Sequence, residues 1–189
     1  MKQAILAVSF GTTYASAEES CIRPVEAALA KANPDCAVRR AYTARIVMRR
    51  LQERGTPVPS VPEALSSLRA EGYSPITIAS THIIPGTEYD MLREAAEGCP
   101  VSEPLLANDA DLSWMAALDA LPEKKITIAP LMLVAGDHAH NDLAGEDDDS
   151  WKSILERRGF TVQVRMRGLG AEEAVRQRFC EKVAKVLQK

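Results

Sequence analysis

Short apolar runs of β character recur along this chain, each followed by a segment of helical period, and that alternation restricts it to few folds. Residues Ala4–Phe10 (AILAVSF) are almost continuously apolar, as a strand buried on both faces of a parallel sheet must be. Helical period follows from Ala17 to Ala32. Ala37–Tyr42 reads as a second strand, with helices at Arg45–Arg54 and Pro62–Glu71, the latter stopped by Gly72. Pro75–Thr81 (PITIAST) reads as a strand and Glu88–Glu97 as a helix. A weaker strand is expected at Val101–Leu106 and a helix at Asp111–Leu121. Ile126–Val134 is the strongest strand pattern of the second half. A helix at Trp151–Arg158, a strand at Phe160–Val164 and a final helix at Ala171–Leu187 complete the chain. Such alternation builds βαβ units, so the expected fold is α/β with parallel sheets and helices on both faces.

The chain's 189 residues suffice for one sizeable domain or for two small halves sharing a core. Pro57–Pro62 is a stiff loop inside the first half. The one candidate boundary lies near Glu97–Pro104, giving halves at 1–98 and 99–189. A net charge of -3 leaves no basic footprint, so nucleic acid is not an expected partner. Residues 4–9 are too short a run for a signal peptide, and no apolar run approaches the roughly 20 residues that cross a bilayer. The four cysteines are scattered without CxxC spacing, which predicts free thiols in a reducing cytoplasm.

In parallel sheets ligands bind outside the carboxyl ends of the strands. That rule selects four stretches, Ser9–Thr13, Tyr42–Arg45, Thr81–Glu88 and Gly136–Asp142, which should gather in space. In the first, Ser9-Phe10-Gly11-Thr12-Thr13 forms either a plain β–α turn or a nest of backbone N–H groups suited to a carboxylate or phosphate. With one glycine it is neither GxGxxG nor a P-loop, which argues against NAD and ATP. In the third, His82 ends a strand and Glu88 opens a helix. Imidazole and carboxylate suit a borderline cation such as Co²⁺, Ni²⁺ or Fe²⁺, but on spacing alone a histidine satisfied by a backbone carbonyl and a glutamate at a helix N-terminus are the better explanation. In the fourth, His138 and His140 face the same side only if the backbone is extended. One of them is then the ligand or base and the other a bystander, with Asp137, Asn141 or Asp142 orienting the ring. Glu146–Asp149 reads as an exposed acidic loop before a helix capped by Ser150, and the contiguous acids do not fit a Ca²⁺ loop.

Three stretches together, ILAVSFGTTY, STHIIPGTEYD and PLMLVAGDHAHNDLAGEDDDSWK, resemble the anaerobic sirohydrochlorin cobalt chelatases, class II tetrapyrrole chelatases of the cobalamin pathway. GYSPITI before His82 and Gly168-Leu169-Gly170 match as well. The resemblance implies two similar α/β halves with a tetrapyrrole between them, and ATP-independent insertion of Co²⁺, with no tightly bound cofactor. It assigns metal binding and catalysis to Glu88 and His138. Substrate binding then falls to Ser9, Gly11, Thr12, Thr13, Arg45 (with Arg49 beside it) and His82, because the substrate is polyanionic. The family carries a further strand ending in a Gly-His-Gly-type motif before the PLMLVAGDH strand. Here Lys125 runs directly into Ile126, so a block of roughly fifty to sixty residues, with the family's other histidine, has no counterpart. The second half is therefore reduced, and a homo-oligomer (a homodimer) or a rearranged second half is expected to cover what the loss exposes. The alternatives are a tetrapyrrole- or metal-binding protein without turnover, and a relative with neither property.

Overall fold

The computed structural model describes residues 2–105 and 123–187. Its main sheet has three parallel strands, with β1 (Lys2–Ser9) between β2 (Cys36–Tyr42) and β3 (Tyr73–Ser80). From Ala4 onward every residue of β1 is buried, which only a central strand covered on both faces allows. Its side chains alternate between faces. Ile5 and Ala7 enter one apolar cluster, and Ala4, Leu6 and Val8 enter the other.

The first helical stretch runs from α1 (Ala15–Ala17) through a π-helical turn (Glu18–Ile22) into α2 (Arg23–Ala32). Its residues Ile22, Val25 and Leu29 cover the Ile5 face together with Val47 and Leu51 of α3 (Arg45–Glu53). The opposite face is covered by α4 (Val61–Ala70), through Ala64, Leu65 and Leu68, and by Leu92 of α5 (Thr87–Ala95). The Pro57–Pro62 loop lies along the end of β2: Tyr42 N–H donates to Pro59 O at 3.0 Å, and Ser60 bridges to Tyr42. The same Ser60 starts α4, with Glu63 accepting its backbone N–H at 2.8 Å.

The weaker strand expected at Val101–Leu106 is reduced to a bridge between Val101 and Ile78. Ile78 N–H donates to Pro100 O at 2.8 Å and Ser102 N–H to Ile78 O at 2.9 Å, so the chain just beyond residue 98 still belongs to the edge of the main sheet. The helix expected at Asp111–Leu121 lies outside the described residues.

A second sheet pairs β4 (Lys125–Ile128) with β5 (Thr161–Val164) in parallel, with α6 (Trp151–Arg157) between them in sequence. The strand read as Ile126–Val134 ends early, at Ile128. Pro130 has no N–H for a ladder, and the following residues turn to meet the Gly168–Gly170 segment: Leu169 N–H donates to Met132 O at 2.8 Å and Gly170 N–H to Leu133 O at 3.0 Å. Ser150 caps α6 by accepting the Ser153 N–H at 3.1 Å, and Glu146–Asp149 are exposed, as the sequence indicates. The final helix α7 (Glu173–Leu187) returns to the main sheet. Its Phe179, Cys180 and Val183 join the cluster of Ile5 and Leu29, so the two halves share one core.

The joint between the halves depends on two glycines. A Cβ on Gly168 would stand 2.4 Å from Leu133 O, and one on Gly170 would stand 2.4 Å from Cys21 O in the π-helical turn. In both cases the obstacle is main chain, which cannot rotate away. Gly168→Ala should therefore destabilise the fold by about 1–3 kcal/mol, the usual cost of overpacking, read as a lower urea midpoint in circular dichroism.

Candidate functional site

The carboxyl ends of β1, β2 and β3 lie side by side, since Ser9 pairs with Tyr42 and Val8 with Ser80. β2 and β3 flank β1 on opposite sides, so the loops leaving these ends open a crevice there. It contains a cavity of about 610 Å³ lined by Phe10–Tyr14, by Ile46, Val47 and Arg50 of α3, by Thr81–Ile84 and Gly86–Tyr89, and by Leu131–Val134 with Gly136–His138. Three of the four strand-end stretches selected from the sequence line it directly. The fourth, Tyr42–Arg45, supports it from behind, because Thr43 N–H donates to Ser9 O and Ala44 N–H to Phe10 O.

Gly11 is in the left-handed region (φ 101°), and a Cβ there would meet the Tyr42 ring at 2.5 Å. The loop thus lies flat on a buried tyrosine whose phenol is pushed up to about 12 by burial. Thr12 accepts the Tyr14 N–H at 3.1 Å, which closes the turn. Ser9 is buried, 2.9 Å from Thr81 Oγ1, and joins the ends of β1 and β3 without lining the cavity. Arg45 is exposed and also stands outside the lining. Helical geometry explains this: Ile46 and Arg50 are four residues apart and share a face, whereas Arg45 and Arg49 share the adjacent one. Among the described residues Arg50 is the cation that borders the cavity, and nothing in the sequence pattern marked it.

The walls are apolar to an unusual degree for exposed surface. Phe10, Ile46, Ile84 and Leu131 are each 39–53% exposed, and all four line this cavity. Apolar groups concentrated in one concave place mark a binding surface.

His138 begins the helical turn Ala139–Leu143, not a strand end: β4 stops ten residues earlier. The helical backbone sends the two histidines different ways. His138 Nδ1 meets Asp142 Oδ2, one turn on, at 2.6 Å, while His140 Nδ1 lies 2.9 Å from Gly136 O. His140 is more than a bystander. Its ring stacks on Tyr14, with centroids 5.0 Å apart and planes 3° from parallel, and the Tyr14 hydroxyl donates to Asp137 Oδ1 at 3.2 Å. Tyr14 and His140 therefore clasp the loop after β1 to the loop carrying His138. Tyr14 closes the ILAVSFGTTY stretch, but the motif gave it no role.

On the facing wall His82 follows β3 and Glu88 sits in the first turn of α5. Burial lowers the His82 pKa, and the Glu88 carboxylate partly opposes that shift. His82 Nδ1 is 3.0 Å from Ser80 Oγ. Among the described residues no three His, Cys, Asp or Glu side chains converge into a closed ion-binding cluster, and no helix is long and apolar enough to cross a membrane.

Fold and site define an α/β protein with an apolar-walled cleft at the strand ends, bordered by imidazole and carboxylate from separate loops. The family model described as cobalt chelatase (CbiK) matches residues 3–103 and 113–188, and the chain belongs to that family. It is similar to a sirohydrochlorin cobaltochelatase of Salmonella typhimurium, 30% identical over 248 positions that cover 95% of this chain and 94% of the relative. It is also similar to the sirohydrochlorin cobaltochelatase CbiKC of Nitratidesulfovibrio vulgaris, 28% identical over 243 positions, covering 91% and 86%. The first alignment spans 59 positions more than the 189 residues of this chain (248 against 189), so at least that many positions face a gap here.

Two outcomes test this geometry. Tyr14→Leu removes the stack and the Asp137 hydrogen bond, so amides in Gly136–Asp142 should exchange with deuterium at least several-fold faster while those of β1 stay protected. His82 is kept neutral in the fold but takes a proton near pH 6.5 when unfolded. Its contribution to stability is thus complete above that pH and is lost as pH falls toward the lowered folded value. His82→Gln should flatten that acid limb in urea unfolding measured across a pH series.

Proposed function

We propose that this chain inserts Co²⁺, or a similar divalent metal such as Fe²⁺ or Ni²⁺, into a tetrapyrrole of the sirohydrochlorin type, without ATP, as a chelatase of the cobalamin pathway. The observation that carries this reading is the cleft itself: apolar side chains from three loops face a space bordered by His138, Glu88 and Arg50. A flat macrocycle buries its rings against such walls and leaves its carboxylates to the rim. There the Arg50 guanidinium and the backbone around Gly11, Thr12 and Thr13 suit anions. The cation is a substrate in this scheme, and no resident cofactor is part of it.

Insertion requires that two pyrrole N–H protons be accepted as the metal enters. His138 suits the task, since Asp142 accepting the Nδ1–H leaves the Nε2 lone pair for a proton or a cation. Glu88 serves as second ligand or proton acceptor. We further read the chain as a homo-oligomer: a two-stranded sheet whose residues alternate between exposed and half-buried is marginal alone, and the positions absent relative to the family leave surface for a second subunit. Sedimentation should show a species larger than one chain; a monodisperse monomer sinks this part. Four free thiols fit a cytoplasmic setting.

One observation favours a second reading, a tetrapyrrole- or metal-binding protein without turnover: the sequence has no counterpart of the Gly-His-Gly-type motif that the resemblance leads one to expect. An absorbance assay with sirohydrochlorin and Co²⁺ separates the two. The chelatase shows insertion that falls by about 10²–10⁴-fold in His138→Ala, the usual share of a proton-transfer group, and Arg50→Ala should raise KM more than it lowers kcat. A spectral shift without insertion selects the binding protein, and no shift at all overturns both.

A further inference from the structure

We propose that His82 and Glu88 form the receiving site for the incoming divalent cation, with His82 Nε2 supplying the second imidazole that the reduced second half does not. The inference rests on the chelatase reading above and extends it to a residue that the resemblance placed only among substrate contacts.

The observation is a pair of buried orphans in one wall of the cleft. Among the described residues four buried side-chain nitrogen or oxygen atoms lack a hydrogen-bond partner: Tyr42 Oη, Thr43 Oγ1, His82 Nε2 and Glu88 Oε2. Two of these four belong to residues lining the cavity, six positions apart across the turn that joins β3 to α5. A buried acceptor without a partner carries an uncompensated desolvation cost, and native structures keep few of them. Here the two sit close enough for the Glu88 carboxylate to act on the His82 ring, yet no hydrogen bond or ion pair joins them. A dication between them satisfies both at once, and one imidazole with one carboxylate suits Co²⁺ and its neighbours.

The ring is also held as a ligand's would be. Ser80, buried at the end of β3, places its Oγ 3.0 Å from His82 Nδ1, and Tyr89 packs edge-on against the imidazole with centroids 6.3 Å apart. A hydrogen bond at one ring nitrogen that orients the other toward the metal is the usual arrangement around metal-bound histidine. A two-ligand site further fits a cation that must be surrendered. Its remaining positions stay with water until the macrocycle nitrogens replace it, whereas a closed set of three or four protein ligands would retain it.

The test is a Co²⁺ titration of the whole protein without tetrapyrrole, followed by calorimetry and visible absorption. Wild type should bind, and His82→Gln should weaken binding by at least about 10-fold, with Ser80→Ala weakening it by roughly 10-fold, as removal of an orienting partner does. Because the chain has three histidines, wild-type NMR gives a reading that needs no variant: the His82 ring signals should broaden at lower Co²⁺ than those of His138 and His140. Unchanged affinity in a folded His82→Gln, or broadening at His138 first, overturns the proposal. If insertion persists while Co²⁺ binding ignores His82, this inference fails and the chelatase reading stands. If Co²⁺ binds through His82 but sirohydrochlorin is neither bound nor metallated, the chelatase reading fails instead.

Discussion

The parallel pairing of β1 with a strand on either side is the constraint on which the rest depends. Because β1 is buried on both faces, its odd and even residues must each find helices to cover them, and those helices must return the chain to the same end of the sheet. That return aligns Ser9, Tyr42 and Ser80 and delivers the loops after β1 and β3, with the first turns of α3, to one crevice. The cavity is thus a consequence of topology before it is a matter of any single side chain. Gly11 and the Tyr42 ring beneath it show how little room the arrangement leaves.

The second half is attached to this frame and does not repeat it. Its own sheet has two short strands, half-exposed on both. Its contributions to the first half are specific: α7 fills the core beside α2, Leu133 joins the same cluster, and the two glycines of Gly168-Leu169-Gly170 let main chain pass against main chain. Through these contacts the loop carrying His138 is held against the loop after β1, where Tyr14 and His140 stack. These contacts are the parts of the second half that hold this loop in place.

Sequence patterns succeeded where burial is set locally. The run Ala4–Phe10, the helical period of Pro62–Glu71 and the Ser150 cap before Trp151 all lie within a residue or two of the observed elements. They failed where an apolar stretch did something other than pair. Leu131–Val134 is as apolar as a strand, but it lies beyond Pro130 and spends its backbone on the Gly168–Gly170 segment. The motif His138-Ala139-His140 was equally open, because two histidines two apart diverge in a helix and align in a strand, and only the backbone decides.

By itself the sequence determined the α/β alternation, the burial of β1 on both faces, the loops that gather at the strand ends and, through its motifs, the family. The tertiary structure decided which residues face the cleft: Arg50 and not Arg45, Gly11 and Thr12 but not Ser9, His82 with an unpartnered Nε2, and Tyr14 with His140 as a clasp. The physical reason is one of range. Periodicity records whether a residue is buried within its own element, whereas a site joins residues far apart in sequence, such as Tyr14 and Asp137 at 123 positions, and their meeting depends on packing that no local pattern contains.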